Sequence, residues 1–314
     1  RIVVHGQKAF GKALLERLLS VGENVVAVCS APTKEGQAND PLVEFAREQN
    51  LPVYQPESWK TPEALELMKS LDADVCMMAY VLMLVPEPVL NAPKFGTFQY
   101  HPSLLPYHRG PSAISWPIAM GETRTGLTIF WPNEGYDEGP ILLTKSCGIE
   151  PNDTLGTVYF DKLFPMGIDA MIESLELVKA GIILKYDQDL SKGSYESWFT
   201  KEFAQVNWGE SVEIVYNKIR AADPAPGAWS TINENIIELF QSVKDPRSDI
   251  PGEILNITDD GILISAKDGS ILANKFRIKG GNKISGTELA DTLSLKPGDK
   301  FEFDPDKIGK VEAA

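Results

Sequence analysis

The sequence predicts an α/β protein: a mostly parallel sheet with helices on both faces, followed by a small β-barrel domain. Three observations predict it. Short apolar runs alternate with helix-period stretches through residue 100, the pattern of a parallel sheet. After Pro224-Ala225-Pro226-Gly227 the texture changes, and short β runs recur between turn signals, as in a small barrel. A length of 314 residues, 43% of them hydrophobic, suits two domains that each bury a core. The boundary falls after Val206, giving domains 1–206 and 207–314.

Each element follows from local chemistry. Residues 2–5 form an apolar strand running into Gly6-Gln7-Lys8-Ala9-Phe10-Gly11, and Ala13, Leu14, Leu18 and Leu19 then recur at helical spacing. The Gly6–Gly11 stretch reads as a strand–helix turn, with anion binding at the helix start as the weaker alternative. Residues 23–29 are the second strand, 41–49 a helix and 51–54 a third strand. Thr61 and Pro62 are a cap and first-turn pair for a helix to about Leu71. Residues 74–79 form a buried strand and 86–91 a helical turn. Residues 95–100 form a strand that delivers His101 at its C-terminal end. Strands 127–131 and 141–146 flank the loop 132–140, and Asp153 or Thr154 caps a long amphipathic helix through Ala180. A polar connector, 185–207, leads to one helix, 211–222, and then to β runs at 229–232, 236–242, 252–257, 261–265 and 270–278.

Charge and cysteine usage count against several functions, without excluding an RNA-sized substrate. The net charge is −14, with −9 in residues 1–206 and −5 in 207–314, so neither half is a basic platform for nucleic acid. Cys29, Cys76 and Cys147 are few and far apart, which suits a reducing compartment and gives neither a disulfide frame nor zinc spacing. No apolar run is long enough for a membrane span and no signal peptide is read, so the chain is placed in the cytoplasm. Because the chain opens directly on a strand, little more than an initiator Met is expected before Arg1.

Two loops could carry chemistry. The segment 99–110 holds His101 and His108 between prolines that stiffen it, at the strand end where open α/β sheets bind ligands. Residues 133–140 place Asp137 between glycines. Taken alone, His101 is either a buried hydrogen-bonded imidazole or an acid/base group, and the second loop is either a solvated acidic hairpin or a carboxylate folded against His101. Such a carboxylate holds the imidazole in one orientation and tautomer. With no Ser-centred elbow and no metal spacing, acid–base chemistry is favoured over nucleophilic or metal mechanisms.

His101-Pro102-Ser103-Leu104-Leu105-Pro106, Arg109-Gly110 and Gly135-x-Asp137-x-Gly139 resemble the formyltransferase family that uses 10-formyltetrahydrofolate. The likeness covers nearly the whole chain; Asn207-Trp208, Ile219-Arg220 and Pro226-Gly227-Ala228-Trp229 resemble the start of the family's barrel domain. Gly6-Gln7-x-x-Phe10-Gly11, Tyr100–Pro106, Thr128-Ile129-Phe130-Trp131 and Leu163-Phe164-Pro165 are most similar to the hydrolase domain at the N-terminus of 10-formyltetrahydrofolate dehydrogenases. The likeness to methionyl-tRNA formyltransferases is more distant.

The resemblance implies a Rossmann-like, folate-binding first domain of the formyltransferase fold, with His101 and Asp137 catalytic. It implies a pterin pocket at Tyr80, Leu82, Met83, Leu84 and Val85 and a folate contact at Asp137, with Glu134 and Glu138 beside it meeting the pterin's amino edge or only water. Family transferases carry Asn two residues before the catalytic His, and the dehydrogenase's hydrolase domain carries an apolar residue; here Gln99 stands there, a third catalytic candidate for stabilising the oxyanion. The implied activity is hydrolysis of 10-formyltetrahydrofolate to tetrahydrofolate and formate without a metal. The alternative is formyl transfer to an amine: a small metabolite, an amino sugar or methionyl-tRNA. The acceptor and the oligomeric state are left open.

Overall fold

The structure, a computed structural model, describes residues 1–307; residues 308–314 of the expected barrel domain lie outside the described residues. Packing divides the chain into two compact units. One comprises Arg1–Gly110, Gly126–Cys147 and Lys162–Tyr195; the other comprises Pro111–Thr125, Gly148–Asp161 and the chain from Glu196.

The first unit is built on a sheet of order β3-β2-β1-β4-β5-β6-β7. Its strands are β1 (Ile2–Gly6), β2 (Val25–Cys29), β3 (Val53–Tyr54), β4 (Val75–Ala79), β5 (Thr97–His101), β6 (Arg124–Phe130) and β7 (Ile141–Gly148). The pairs from β3 to β5 are parallel, and β6 joins β5 antiparallel. Side chains alternate across the strands with period two. Val4, Met77, Phe98 and Tyr100 pack on one face with Phe10, Leu14, Leu15 and Leu18 of helix α1 (Lys8–Ser20). On the other face Val3, Cys29, Cys76 and Met78 meet Trp59, then Ala64 and Met68 of α3 (Pro62–Ser70), and Val89 and Leu90 of α4 (Glu87–Leu90). Thr61 caps α3 by accepting from Ala64 N–H at 3.3 Å, as its sequence predicts.

Helix α1 begins earlier than expected, so Gly11 lies within the helix and not in a loop. Its missing side chain admits Leu42 of α2 (Pro41–Glu48): a Cβ on Gly11 would stand 3.0 Å from Leu42 Cδ2. At Gly6 a Cβ would stand 2.4 Å from the Ala79 carbonyl oxygen. Both glycines thus serve close packing. The first N–H of α1 is already answered: Lys8 N–H donates to the Asp40 carboxylate at 2.8 and 2.9 Å, and Asp40 also caps α2 through Leu42 N–H at 3.0 Å. One carboxylate therefore serves two helix starts. Asp40→Ala is expected to lower stability by about 1–2 kcal/mol, the scale of a lost cap, read as a lower denaturant midpoint at unchanged slope; Asp40→Asn should recover most of it.

The long helix expected from Asp153 or Thr154 is interrupted. Thr154 forms a capping box with Thr157, but a π-helical turn, Val158–Leu163, precedes the straight helix Phe164–Lys179. Pro165 explains the break, since it has no N–H for the preceding turn and its ring needs room there.

In the second unit a sheet of order β10-β11-β12-β9-β8 is formed by β8 (Ala228–Ile232), β9 (Asn235–Asp245), β10 (Ile254–Thr258), β11 (Gly261–Ser265) and β12 (Ser270–Ile278). The segment 300–302 joins its two outer strands into a barrel. Glu302 exchanges backbone bonds with Thr231 on β8, and Phe301 N–H donates to the Gly252 carbonyl beside β10. The helix Val212–Ala221, capped by Ser211, belongs to this unit. Unexpected are the short β13 (Lys283–Ser285) and the helix Gly286–Leu293, which opens on a Ser285–Glu288 capping box.

Candidate active site

Parallel strands end their side chains at one edge of the first unit's sheet. Register with Met78 puts Gln99 on the α3–α4 face, and His101, two residues on, shares that face. The sheet order reverses between β1 and β4, the switch point where such sheets take ligands. His101, on β5 beside β4, stands next to it.

The loop after His101 is held stiffly. Thr128 on β6 accepts from Leu105 N–H at 3.1 Å and donates to the Ser103 carbonyl at 2.8 Å. Ser194 Oγ accepts from His108 N–H at 2.9 Å. The loop turns back so that the His108 carbonyl lies 3.0 Å from His101 Nε2. A carbonyl only accepts, so Nε2 carries a proton, and Nδ1 is the nitrogen left for chemistry. Asp137 stands before it: Nδ1 and Oδ1 are 3.6 Å apart, with the two side chains 7% and 16% exposed. That gap exceeds a hydrogen bond, and catalytic contacts commonly tighten only when reactants bind.

Asp137 adopts a left-handed backbone, φ 56°, and its second oxygen accepts from Gly110 N–H at 2.9 Å. Its neighbour Glu138 pairs with Arg109 at 2.6 Å, so this carboxylate is engaged by a cation. Glu134 is exposed on the same loop. Gln99 is partly buried and makes no side-chain hydrogen bond to the described residues, which leaves its amide for a ligand.

The segment after β4 presents Tyr80 (φ 63°), Leu82 and Leu84 as exposed apolar side chains. Tyr80, Leu82 and Met83 line a cavity of about 10 Å³ with His5, Gly6, Gln7, Ala31 and Val81. Val85 instead packs into the core with Val89 and Leu90. A separate cleft of about 390 Å³ opens near the start of β5, walled by α4, Trp131, Lys185 and the loop's end residues Asn133 and Pro140. Burial keeps the His5 imidazole neutral, its pKa pushed down to about 3. Burial likewise pushes the Cys76 thiol up to about 12 and raises Cys29, which also feels Cys76; neither is a nucleophile at neutral pH. Among the described residues no group of three His, Cys, Asp or Glu is placed to hold a metal, and no helix is long and apolar enough to cross a membrane.

Sequence reasoning brought His101 and Asp137 together correctly in space and missed the groups that fix their loops. Ser194 and Gln188 lie in a polar connector without periodicity, where no local pattern signals a long-range contact.

The chain matches the family model described as formyl transferase over residues 1–173, and that of the formyl transferase C-terminal domain over residues 199–294. The mitochondrial 10-formyltetrahydrofolate dehydrogenase of Homo sapiens is 34% identical over 307 residues, which cover 93% of this chain and 33% of that protein. The chain thus spans about a third of the length of the dehydrogenases it matches. Methionyl-tRNA formyltransferase of Geobacter sulfurreducens is 30% identical over 306 residues, 96% of each chain. Two solved structures share the fold. HypX from Aquifex aeolicus in complex with tetrahydrofolic acid has a TM-score of 0.71 at 18% identity, covering 97% of this chain and 51% of that one. The N-formyltransferase from Helicobacter canadensis, in complex with folinic acid and dTDP-3-aminofucose, has a TM-score of 0.66 at 19% identity, covering 87% and 98%. Matched along both of its halves, and over nearly the full length of a 30%-identical relative, the chain belongs to the formyltransferase family.

Proposed function

We propose that this protein hydrolyses 10-formyltetrahydrofolate to tetrahydrofolate and formate, with residues 1–206 as the catalytic, folate-binding domain and 207–314 as the barrel. The observation that carries the reading is His101 Nδ1 facing Asp137 Oδ1 at 3.6 Å, at the sheet edge where ligands bind. 10-Formyltetrahydrofolate supplies a formyl carbon on an aniline-like nitrogen, open to attack by water. Asp137 orients His101 and draws a proton from the attacking water. His101, its Nε2 proton committed to the His108 carbonyl, works through Nδ1, holding the proton that stabilises the oxyanion or reaches the leaving nitrogen. Gln99 donates its amide N–H to the formyl oxygen as charge builds there. Tyr80, Leu82, Met83 and Leu84, exposed or half-buried beyond β4, offer an apolar surface for the pterin, with Val85 behind them, and Glu134 and Asp137 lie toward its edge. Three free cysteines suit a reducing compartment such as the cytoplasm.

Formyl transfer to an amine is the second reading, favoured by Gln99, which keeps an amide where the family's transferases have Asn, and by the match to methionyl-tRNA formyltransferase over 96% of both chains. Incubation with 10-formyltetrahydrofolate, alone and with an amino sugar nucleotide or methionyl-tRNA, separates them. Formate released in step with tetrahydrofolate, without an amine, is the expected result. Turnover only with an amine present would establish transfer, and no turnover under any condition would refute both.

A further inference from the structure

Asp137 faces His101 from a turn in a left-handed conformation, a geometry that the loop 132–140 does not secure by its own bonds alone. Gln188, distant in sequence by 51 residues, reaches into it. Its side-chain amide donates to the Asp137 carbonyl at 2.9 Å and to the Gly139 carbonyl at 2.7 Å. Both partners only accept, so the amide nitrogen must face them, and the orientation of the amide is settled by its neighbours. Gln188 Oε1 is left buried with no hydrogen-bond partner among the described residues. An apolar side chain at 188 would avoid that burial of an unsatisfied oxygen, so the amide is accounted for by its two donors and not by filling space.

We propose that Gln188 is a positioning residue for the formyl reaction. It clasps the Asp137–Gly139 turn through its backbone carbonyls, while the carboxylate accepts from Gly110 N–H, and so aims Asp137 Oδ1 at His101. It acts through Asp137 and touches no reactant. The inference rests on the function proposed above. A small misplacement of a reacting group costs about 10²-fold in rate, and the expected effect is set by that scale.

The test is Gln188→Leu, which removes both donors, beside the isosteric Gln188→Glu, which sets a carboxylate against two carbonyl oxygens. On a chain that turns over 10-formyltetrahydrofolate, kcat should fall by about 10- to 100-fold in both. The dissociation constant of tetrahydrofolate should stay within about threefold of wild type, and a single cooperative melt should be kept, because the apolar surface proposed for the pterin, at Tyr80, Leu82, Met83 and Leu84, lies on another segment and Gln188 touches only backbone carbonyls of the turn. A kcat within about twofold of wild type in either folded variant overturns the proposal. So does a loss of tetrahydrofolate affinity as large as the loss of kcat, which would mark general damage to the site. A wild-type chain inert toward 10-formyltetrahydrofolate is a distinct failure: it refutes the proposed function and this inference with it.

Discussion

His101→Ala is expected to lower turnover of 10-formyltetrahydrofolate by about 10³-fold or more, within the range seen for positioned acid–base groups and above that of a lost hydrogen bond alone. The imidazole is buried, its Nε2 fixed on the His108 carbonyl at 3.0 Å and its Nδ1 turned to Asp137. Alanine removes that imidazole and leaves the His108 backbone N–H, which holds the loop through Ser194, in place. Stability should change far less, by about 1 kcal/mol for one net hydrogen bond plus the packing of a half-polar ring. Tetrahydrofolate binding should stay within about threefold, since proton transfer matters only in the transition state. The measurement is single-turnover formate release with the dissociation constant of tetrahydrofolate determined on the same preparation. Retention of a tenth of the wild-type rate would remove His101 from the chemistry.

Gln99→Leu is the second large effect. Gln99 shares a face with His101 and makes no side-chain hydrogen bond to the described residues. The substitution therefore orphans no protein partner, and its kinetic result can be read directly. Loss of one oxyanion donor should cut kcat by about 10²–10³-fold with little change in folate affinity. A fall in the water reaction and the amine reaction alike would place the amide on the formyl oxygen. A fall confined to amine transfer would favour the transferase reading. Near-wild-type rates in both would make Gln99 a spacer and take it out of the site.

The parts of the fold with strong local chemistry were legible in the residues. Thr61-Pro62 marked the start of α3, and the strand running to Tyr100 delivered His101 at its C-terminal end. What escaped was set by distant partners. Gly11 looks like a loop glycine and is a packing glycine, because Leu42 arrives from another helix. Pro165 sits about three turns into the run read as one amphipathic helix, and a π turn precedes it. The three-residue β13 is too short for a period, though Ser285 and Glu288 did spell the cap of the helix after it. The approach of Asp137 to His101 was legible because motif and chemistry agree. The Arg109–Glu138 pair and the Gln188 clasp were not, since each depends on how the two loops fold back.

The seam at 300–302 also bears on how this chain behaves in a crowded solution. An open antiparallel sheet carries two rows of unsatisfied backbone groups, each a template on which another molecule can add a strand. Here the exchange between Glu302 and Thr231, and the bond from Phe301 to Gly252, spend those groups inside one molecule. The stretch 300–302 is thus a guard against fibre growth as much as a piece of the barrel's architecture. A chain shortened to end before Phe301 would lose that guard while keeping every residue proposed for the formyl reaction, and would fail first by clumping.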